Sequence, residues 1–318
     1  MHNSGFEANV IDYVTFGIII DDIVFPQGYT QMGVLGGGGP QTAWGTAAAL
    51  GSGETVGLVA GVGSDLEPGA LAPLEAARVN LDGVRVTALP TPRAWQTVEF
   101  DGRRTQVWRV EPETLGEQLA RHWDVLPPAY REARWFHWGI HPGDAAPAIA
   151  FARDLRARGR RVSLEPFRPP PAPMSDDQIR ELLEVCDVFS PNWREAAAMI
   201  GSDDEQQIVA RFRALGGRIL ALRRGEAGAD VWDLPAGRGV RVPAAPTDVI
   251  DPVGAGNTFC GALVARLDDG LAEAACHATV AASYAVEQIG IPAALPDPAE
   301  YARRLDAARA GCVELVIG

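Results

Sequence analysis

Short apolar runs alternate with longer stretches of helical composition along most of this chain, and no other feature restricts its fold as tightly. The apolar runs fall at 13–20, 55–60, 135–138, 161–164, 185–189 and 218–222. Between most of them lie segments rich in Ala, Leu, Arg and Glu, at 42–50, 147–158, 176–184 and 205–215. A strand, a helix and a second strand close as a βαβ unit, so the repeat predicts an α/β fold with a mainly parallel sheet covered on both faces. Ile18, Ile19 and Ile20 are apolar in succession, as in a strand buried on both sides.

Two segments, about 21–35 and 94–109, break the alternation. The first carries Val24-Phe25 and Val34-Leu35 around a Gly/Gln/Tyr stretch. In the second, Trp95, Thr97 and Glu99 alternate with their neighbours, and Asp101-Gly102 is a hairpin turn signal. Together they predict a small β-flap that can close over a substrate and exclude water. A decorative or dimerising sheet is the alternative. Near the C-terminus, Phe259, Leu263 and Leu267 recur every four residues, which predicts a helix over 257–268 with one inward face. An alanine-rich helix is expected over about 271–288, stopped by Gly290-Ile291-Pro292.

Composition removes several function classes. No apolar run approaches the roughly 20 residues of a membrane span. The start, Met1-His2-Asn3-Ser4-Gly5, lacks the basic-then-apolar form of a signal peptide. A cytoplasmic protein without a membrane partner is the expectation. The net charge of −13 disfavours nucleic acid as a partner, because such binding depends on cationic side chains neutralising phosphates. All 28 permanently basic side chains are arginine. A Walker lysine or a Schiff-base lysine is therefore excluded, and phosphate charge must be met by Arg, a metal or backbone amides. Cys186, Cys260, Cys276 and Cys312 are widely spaced without a C-x-x-C, so they read as core thiols. His137 and His141 flank Trp138-Gly139 in a strand-to-loop segment and do not read as metal ligands.

The sharpest chemical signal is Asp251-Pro252-Val253-Gly254-Ala255-Gly256-Asn257. It follows a β-like run and opens an apolar helix. Gly254, Ala255 and Gly256 strip side chains from the loop, so backbone N–H groups can approach a ligand closely. The helix adds unsatisfied N–H groups and the positive end of its dipole, which suits an anion such as phosphate. Asn257 is the first polar side chain past the glycines and points to where that anion reacts. Other glycine motifs fail: no Lys-Ser/Thr follows the loop, and Phe259 occupies the third glycine position of a dinucleotide fingerprint.

This loop resembles the signature of the PfkB (ribokinase-like) family of sugar and nucleoside kinases. Three further motifs follow the family order. Gly36-Gly37-Gly38-Gly39 precedes a small-residue helix ending in Leu50-Gly51. Gly37 and Gly38 match the family di-glycine, while Thr42 stands where asparagine is usual. Asn192-Trp193-Arg194-Glu195 matches the N-x-x-E motif, and Arg223-Arg224-Gly225-Glu226-Ala227-Gly228 the strand-end G-x-x-G beside the nucleotide. Threonine often stands at the Arg223 position; an arginine there can grip phosphate or sit solvated at the surface.

The resemblance spans 17 to about 292 and implies one ribokinase-like α/β/α domain over 1–318, with the lid segments above. It implies ATP and Mg2+ as cofactors. Asn192, Arg223, Gly225 and Gly228 are expected at the nucleotide, with Glu195 acting on Mg2+ and phosphates through water. Asp251 is expected beside a monovalent cation. Asp22, Gly37, Gly38 and Thr42 are expected at a sugar-like or nucleoside substrate, and pairing of two copies through the lid is a further expectation. Asn257, with Gly254, Ala255 and Gly256, marks the catalytic loop of a divergent branch, because the family carries an aspartate base at the last position. An amide is too weakly basic for that task, although it can orient a hydroxyl. Three readings stay open: an ATP-dependent kinase slowed by Asn257, a ligand-binding pseudokinase, and a scaffold on the same fold.

Overall fold

The computed structural model of the protein describes residues 10–100 and 104–317. The segment Met1–Gly5 and the Asp101-Gly102 turn lie outside the described residues. β1 (Tyr13–Phe16) enters the main sheet, and the chain then passes to a second sheet as β2 (Ile19–Val24) and β3 (Thr30–Gly36). The single strand expected over 13–20 is thus two strands in two sheets. Gly17 turns the chain at φ 89, and Ile18 is buried in the core between them. The apolar run reports burial in both places, and only the turn reveals the change of sheet.

Next come α1 (Gly38–Leu50), β4 (Val56–Gly63), the short α2 (Ala72–Ala76) and β5 (Asn80–Thr87). β6 (Arg93–Val98) and β7 (Arg104–Trp108) return to the second sheet. After α3 (Pro112–Gln118) the alternation is regular: β8 (Trp135–Ile140), α4 (Ala146–Ala157), β9 (Arg161–Pro166), α5 (Asp176–Glu184) and β10 (Val188–Phe189). The alternation then loosens into two helices, α6 (Trp193–Ile200) and α7 (Glu205–Ala214), and three strands, β11 (Ile219–Arg223), β12 (Ala229–Asp233) and β13 (Arg238–Val242). The chain closes with α8 (Ala255–Arg266), α9 (Leu271–Ala285), α10 (Pro298–Ala310) and β14 (Val313–Val316).

The ten-stranded main sheet has the order β14-β13-β12-β11-β10-β9-β8-β1-β4-β5. Every pairing from β11 to β5 is parallel, and the β12, β13 and β14 edge is antiparallel. The sheet is therefore mainly parallel, as the alternation requires. The second sheet, β3-β2-β6-β7, is built from the two segments that interrupt the repeat.

Two apolar cores sandwich the main sheet. Leu220 and Leu222 of β11 pack with Phe212 and the α4 and α5 side chains on one face, while Ala221 packs with α8 and α9 on the other. This period-two division fits strands buried on both faces. Among the described residues no helix is long and apolar enough to cross a membrane. Cys276 and Cys312 carry free thiols whose sulfurs lie 3.1 Å apart, a proximity their 36-residue separation conceals.

Candidate active site

The glycine loop folds as its composition demands. Gly254 has φ 85, a left-handed conformation that favours glycine, and it caps α8. The Gln41 side chain lies against its Cα, so a Cβ there would sit 2.5 Å from the Gln41 amide nitrogen. Beside the loop opens a cleft of about 560 Å³, lined by Asn192, Gly225, Gly228, Phe259, Thr279 and Val286 among others. Its walls are mostly apolar with a few polar groups among them, the usual composition of a small-molecule site. Arg223 also lines the cleft, at the end next to Gly256.

Arg223 ends β11 and turns inward. Its Nη2 donates to the Ser190 carbonyl at 2.7 Å and lies 3.3 Å from Glu165 Oε2 and 3.6 Å from Glu195 Oε2. A Cβ at Gly256 would overlap Nη1, so the guanidinium rests on the glycine loop. The side chain is 14% exposed, which excludes a solvated surface charge. Burial alone would weaken its charge, yet Glu165, Cys260 and Glu195 hold its pKa above the ordinary arginine value.

Asn192 and Glu195 form a reciprocal cap on α6. Asn192 Oδ1 accepts the Glu195 N–H at 2.9 Å, and Glu195 Oε2 accepts the Asn192 N–H at 2.7 Å. The structural reading of N-x-x-E therefore holds as a capping box. The cap and the Arg223 contact both use Oε2, leaving Oε1 outside them. Burial pushes the Glu195 carboxyl up to about 7 against the pull of Arg223.

Asn257 stands one turn into α8, and its Nδ2 donates to Glu165 Oε1 in a short contact. Glu165 is on β9, four residues after Arg161, at the carboxyl end of a parallel strand. Its other neighbours are His137 Nε2 at 3.4 Å from Oε1 and the Cys260 thiol at 3.5 Å from Oε2. His137 Nδ1 meets Ser163 Oγ at 2.9 Å. Burial by itself would raise the Glu165 pKa, but Arg223 and His137 outweigh it and hold the carboxyl below its usual range. Glu165 is thus a buried carboxylate facing the glycine loop.

Sequence reading passed over Glu165, ending its strand at residue 164. The signal was available: Val162 and Leu164 are apolar and buried on one face, while Ser163 and Glu165 are the buried polar alternates. His137 pairs in register with both Thr15 and Ser163, so a row of polar side chains crosses three strands under α1 and α8. His137, Glu165 and Cys260 could by atom type hold a transition metal. Arg223 beside the same carboxylate opposes a second cation there.

The expected acceptor residues divide. Gly38 opens α1 against Asn257, with a Cβ there placed 3.0 Å from Nδ2. Gly37 caps α1 with φ 85 and lies against the Gly17 carbonyl. Thr42, on the α1 face toward α8, is 1% exposed; among the described residues its Oγ1 finds no partner, and it faces an internal gap shared with Thr15 and His137. Asp22 sits on β2 in the lid: Oδ1 accepts the Gly33 N–H at 2.9 Å, and Oδ2 pairs with Arg109, which follows β7. Asp251 is buried just before the loop. Its Oδ1 accepts the Val253 N–H at 3.0 Å, its Oδ2 has no partner among the described residues, and burial raises its pKa.

A cytidine kinase from Thermococcus kodakarensis is 26% identical over 262 residues, covering 82% of this chain and 90% of its own. The ribokinase of Arabidopsis thaliana, solved with ribose and ATP, superposes with a TM-score of 0.71 at 22% identity, over 93% of this chain and 98% of its own. An E. coli protein assigned as ribokinase II, solved with ATP and Mg2+, gives a TM-score of 0.71 at 18% identity, over 94% and 99% of the two chains. At those identities the two structures speak for the fold. The family model for pfkB family carbohydrate kinases matches residues 12–298. With that match over most of its length, the chain belongs to the pfkB family of carbohydrate kinases.

Proposed function

We propose that the protein transfers the γ-phosphoryl group of ATP to a hydroxyl of a sugar or nucleoside-like molecule. One observation carries this reading: Arg223, which lines the cleft, rests on Gly256 of the glycine loop, and Asn257 follows at once in the first turn of α8, one a cation for phosphate and the other an amide for a hydroxyl. The nucleotide lies in the cleft beside Asn192, Gly225 and Gly228. Its terminal phosphates meet the loop, the start of α8 and the Arg223 fork. The acceptor lies under the lid, near Asp22, Gly37 and Gly38, with Thr42 supporting from behind. That the relative from Thermococcus kodakarensis is a cytidine kinase favours including nucleosides among acceptors.

The acceptor oxygen bonds to the γ-phosphorus as the bond from phosphorus to the bridging oxygen breaks. ADP leaves, and the hydroxyl proton passes to an oxygen of the transferred group. Phosphoryl transfer has a loose transition state, so positioning and charge neutralisation carry much of the rate. An orienting amide in place of a base then slows the reaction, by roughly 10²–10⁴, without abolishing it. Mg2+, when bound, neutralises charge on the phosphates, and Glu195 fits a water-mediated role because Oε1 lies outside its cap. The unpartnered Asp251 Oδ2 fits a monovalent cation. We assign residues 1–318 to one functional unit. Exposed Tyr29, Met32, Val107 and Trp108 on the lid favour association of two copies there.

A second reading, a pseudokinase that binds without transfer, is favoured by the engagement of Asn257 and Arg223 with Glu165. The deciding experiment follows labelled γ-phosphate from Mg-ATP into pooled sugars and nucleosides, alongside calorimetric titration of Mg-ATP. Transfer establishes the kinase, and binding without transfer the pseudokinase. Absence of both overturns the proposal.

A further inference from the structure

Asn257 and Arg223 stand at the two ends of the transfer, and one buried side chain holds both. Glu165 takes the Asn257 amide on Oε1 and the Arg223 guanidinium on Oε2. An ionised carboxylate only accepts hydrogen bonds, so the amide must turn its N–H toward Glu165 and its oxygen away. The side chain is 3% exposed and cannot swing into water to release either partner. Behind it, His137 contacts the same oxygen as Asn257 and is itself held by Ser163. Glu165 lies on a strand rather than a loop, which fixes its position through the sheet register.

We propose that Glu165 is a positioning residue for the phosphotransfer. Through Oε1 it aims the Asn257 amide oxygen at the acceptor hydroxyl, and through Oε2 it sets the Arg223 fork over the glycine loop. The inference rests on the kinase reading for its effect on rate, and on the hydrogen bond alone for its effect on Asn257. It also changes what an aspartate at 257 would do. Two carboxylates in contact cannot both ionise at neutral pH, so Asn257→Asp by itself creates a proton-sharing pair instead of a free base.

The test exchanges the two groups. Glu165→Gln keeps the shape but can donate to the Asn257 oxygen, letting the amide turn over. Its kcat falls by about 10²-fold, with a smaller change in the acceptor KM. Asn257→Asp alone gains an acid limb in its pH–rate profile from the shared proton. The double variant Glu165→Gln/Asn257→Asp restores one amide facing one carboxylate, and its kcat exceeds that of either single variant. A structural role alone would lower the melting temperature in both Glu165 variants and leave the double variant no faster than Asn257→Asp. Multiplicative losses in the double variant, or an unchanged kcat in Glu165→Gln, overturn the proposal.

A second readout needs no turnover. In protein labelled with 15N-asparagine, the Asn257 side-chain N–H2 signal is identified by its loss in Asn257→Asp. Its proton shift moves upfield in Glu165→Gln as the carboxylate acceptor disappears. An unmoved signal refutes the positioning role even if the protein transfers no phosphate. A moved signal together with absent transfer refutes the kinase reading and leaves the contact standing.

Discussion

Replacing Arg223 by methionine separates the two tasks assigned to that side chain. Methionine keeps most of the volume and removes the cation. Glu165, 3% exposed, then loses its guanidinium partner at 3.3 Å. Breaking a buried ion pair by deleting one member costs about 3–5 kcal/mol, because the remaining charge is left uncompensated. Unfolding entropy of about 2.1 cal/mol/K per residue gives roughly 670 cal/mol/K for a chain of this length, so the melting temperature falls by about 4–7 °C at pH 7. The loss depends on pH with a definite sign. In the native protein the Glu165 pKa is depressed, so its pairing stabilises above the unfolded carboxyl value and fades as the medium turns acidic. Without Arg223 that pKa rises and the carboxylate protonates in the fold. The gap between native and variant melting temperatures therefore narrows from pH 7 to pH 4. In parallel, ATP affinity drops by about 10- to 150-fold through loss of a charged hydrogen bond worth about 1.5–3 kcal/mol, while adenosine affinity is unchanged. Differential scanning fluorimetry over that pH range and calorimetric titration with both ligands measure these effects. A melting temperature within 1 °C of native at every pH would refute the buried pair, and equal losses for ATP and adenosine would refute the phosphate contact.

Other perturbations test neighbouring parts of the molecule. Gly256→Ala places a Cβ on the Arg223 guanidinium, so ATP affinity falls at least about 10-fold while the fold loses about 1–3 kcal/mol; native-like titration curves contradict that packing. His277 is buried against the Tyr301 hydroxyl and Glu273, with Arg266 and Arg309 adding to its field. Burial, then Arg266, lowers its pKa from 6.5 to about 4, so stability from the neutral ring is present above pH 6.5 and is lost as pH falls toward 4. The loss is about 3 kcal/mol, and a urea midpoint series in His277→Gln should lack that component. Treatment with oxidised glutathione should join Cys276 to Cys312, removing two hydrogens from the mass and adding about 4 kcal/mol of stability through loop closure. If both thiols remain open to alkylation after that treatment, the reasoning fails.

Much of the architecture was legible along the chain. The alternating pattern gave βαβ units because parallel strands need a crossover helix, and the two interruptions at 21–35 and 94–109 became the lid sheet. The glycine loop, the N-x-x-E cap and the cleft glycines were visible as local chemistry, since a tight turn and a helix start each demand particular residues within a few positions. Periodicity misled at 13–20, where burial continues across Gly17 although the chain changes sheet. It also stopped one residue short of Glu165, because a polar side chain looks like a strand end when its partners are unknown.

What the sequence determined by itself was therefore everything set within a turn or a strand: element type, the glycine loop and the family. Tertiary structure alone decided that Arg223 is half-buried and paired rather than solvated, that Thr42 of α1 is enclosed against α8, and that Glu165 reaches Asn257 across 92 positions of sequence. The physical reason is that side-chain periods of 2 and 3.6 report which face of an element is covered. They do not report what covers it, which follows from strand order and register across crossovers that no local pattern records.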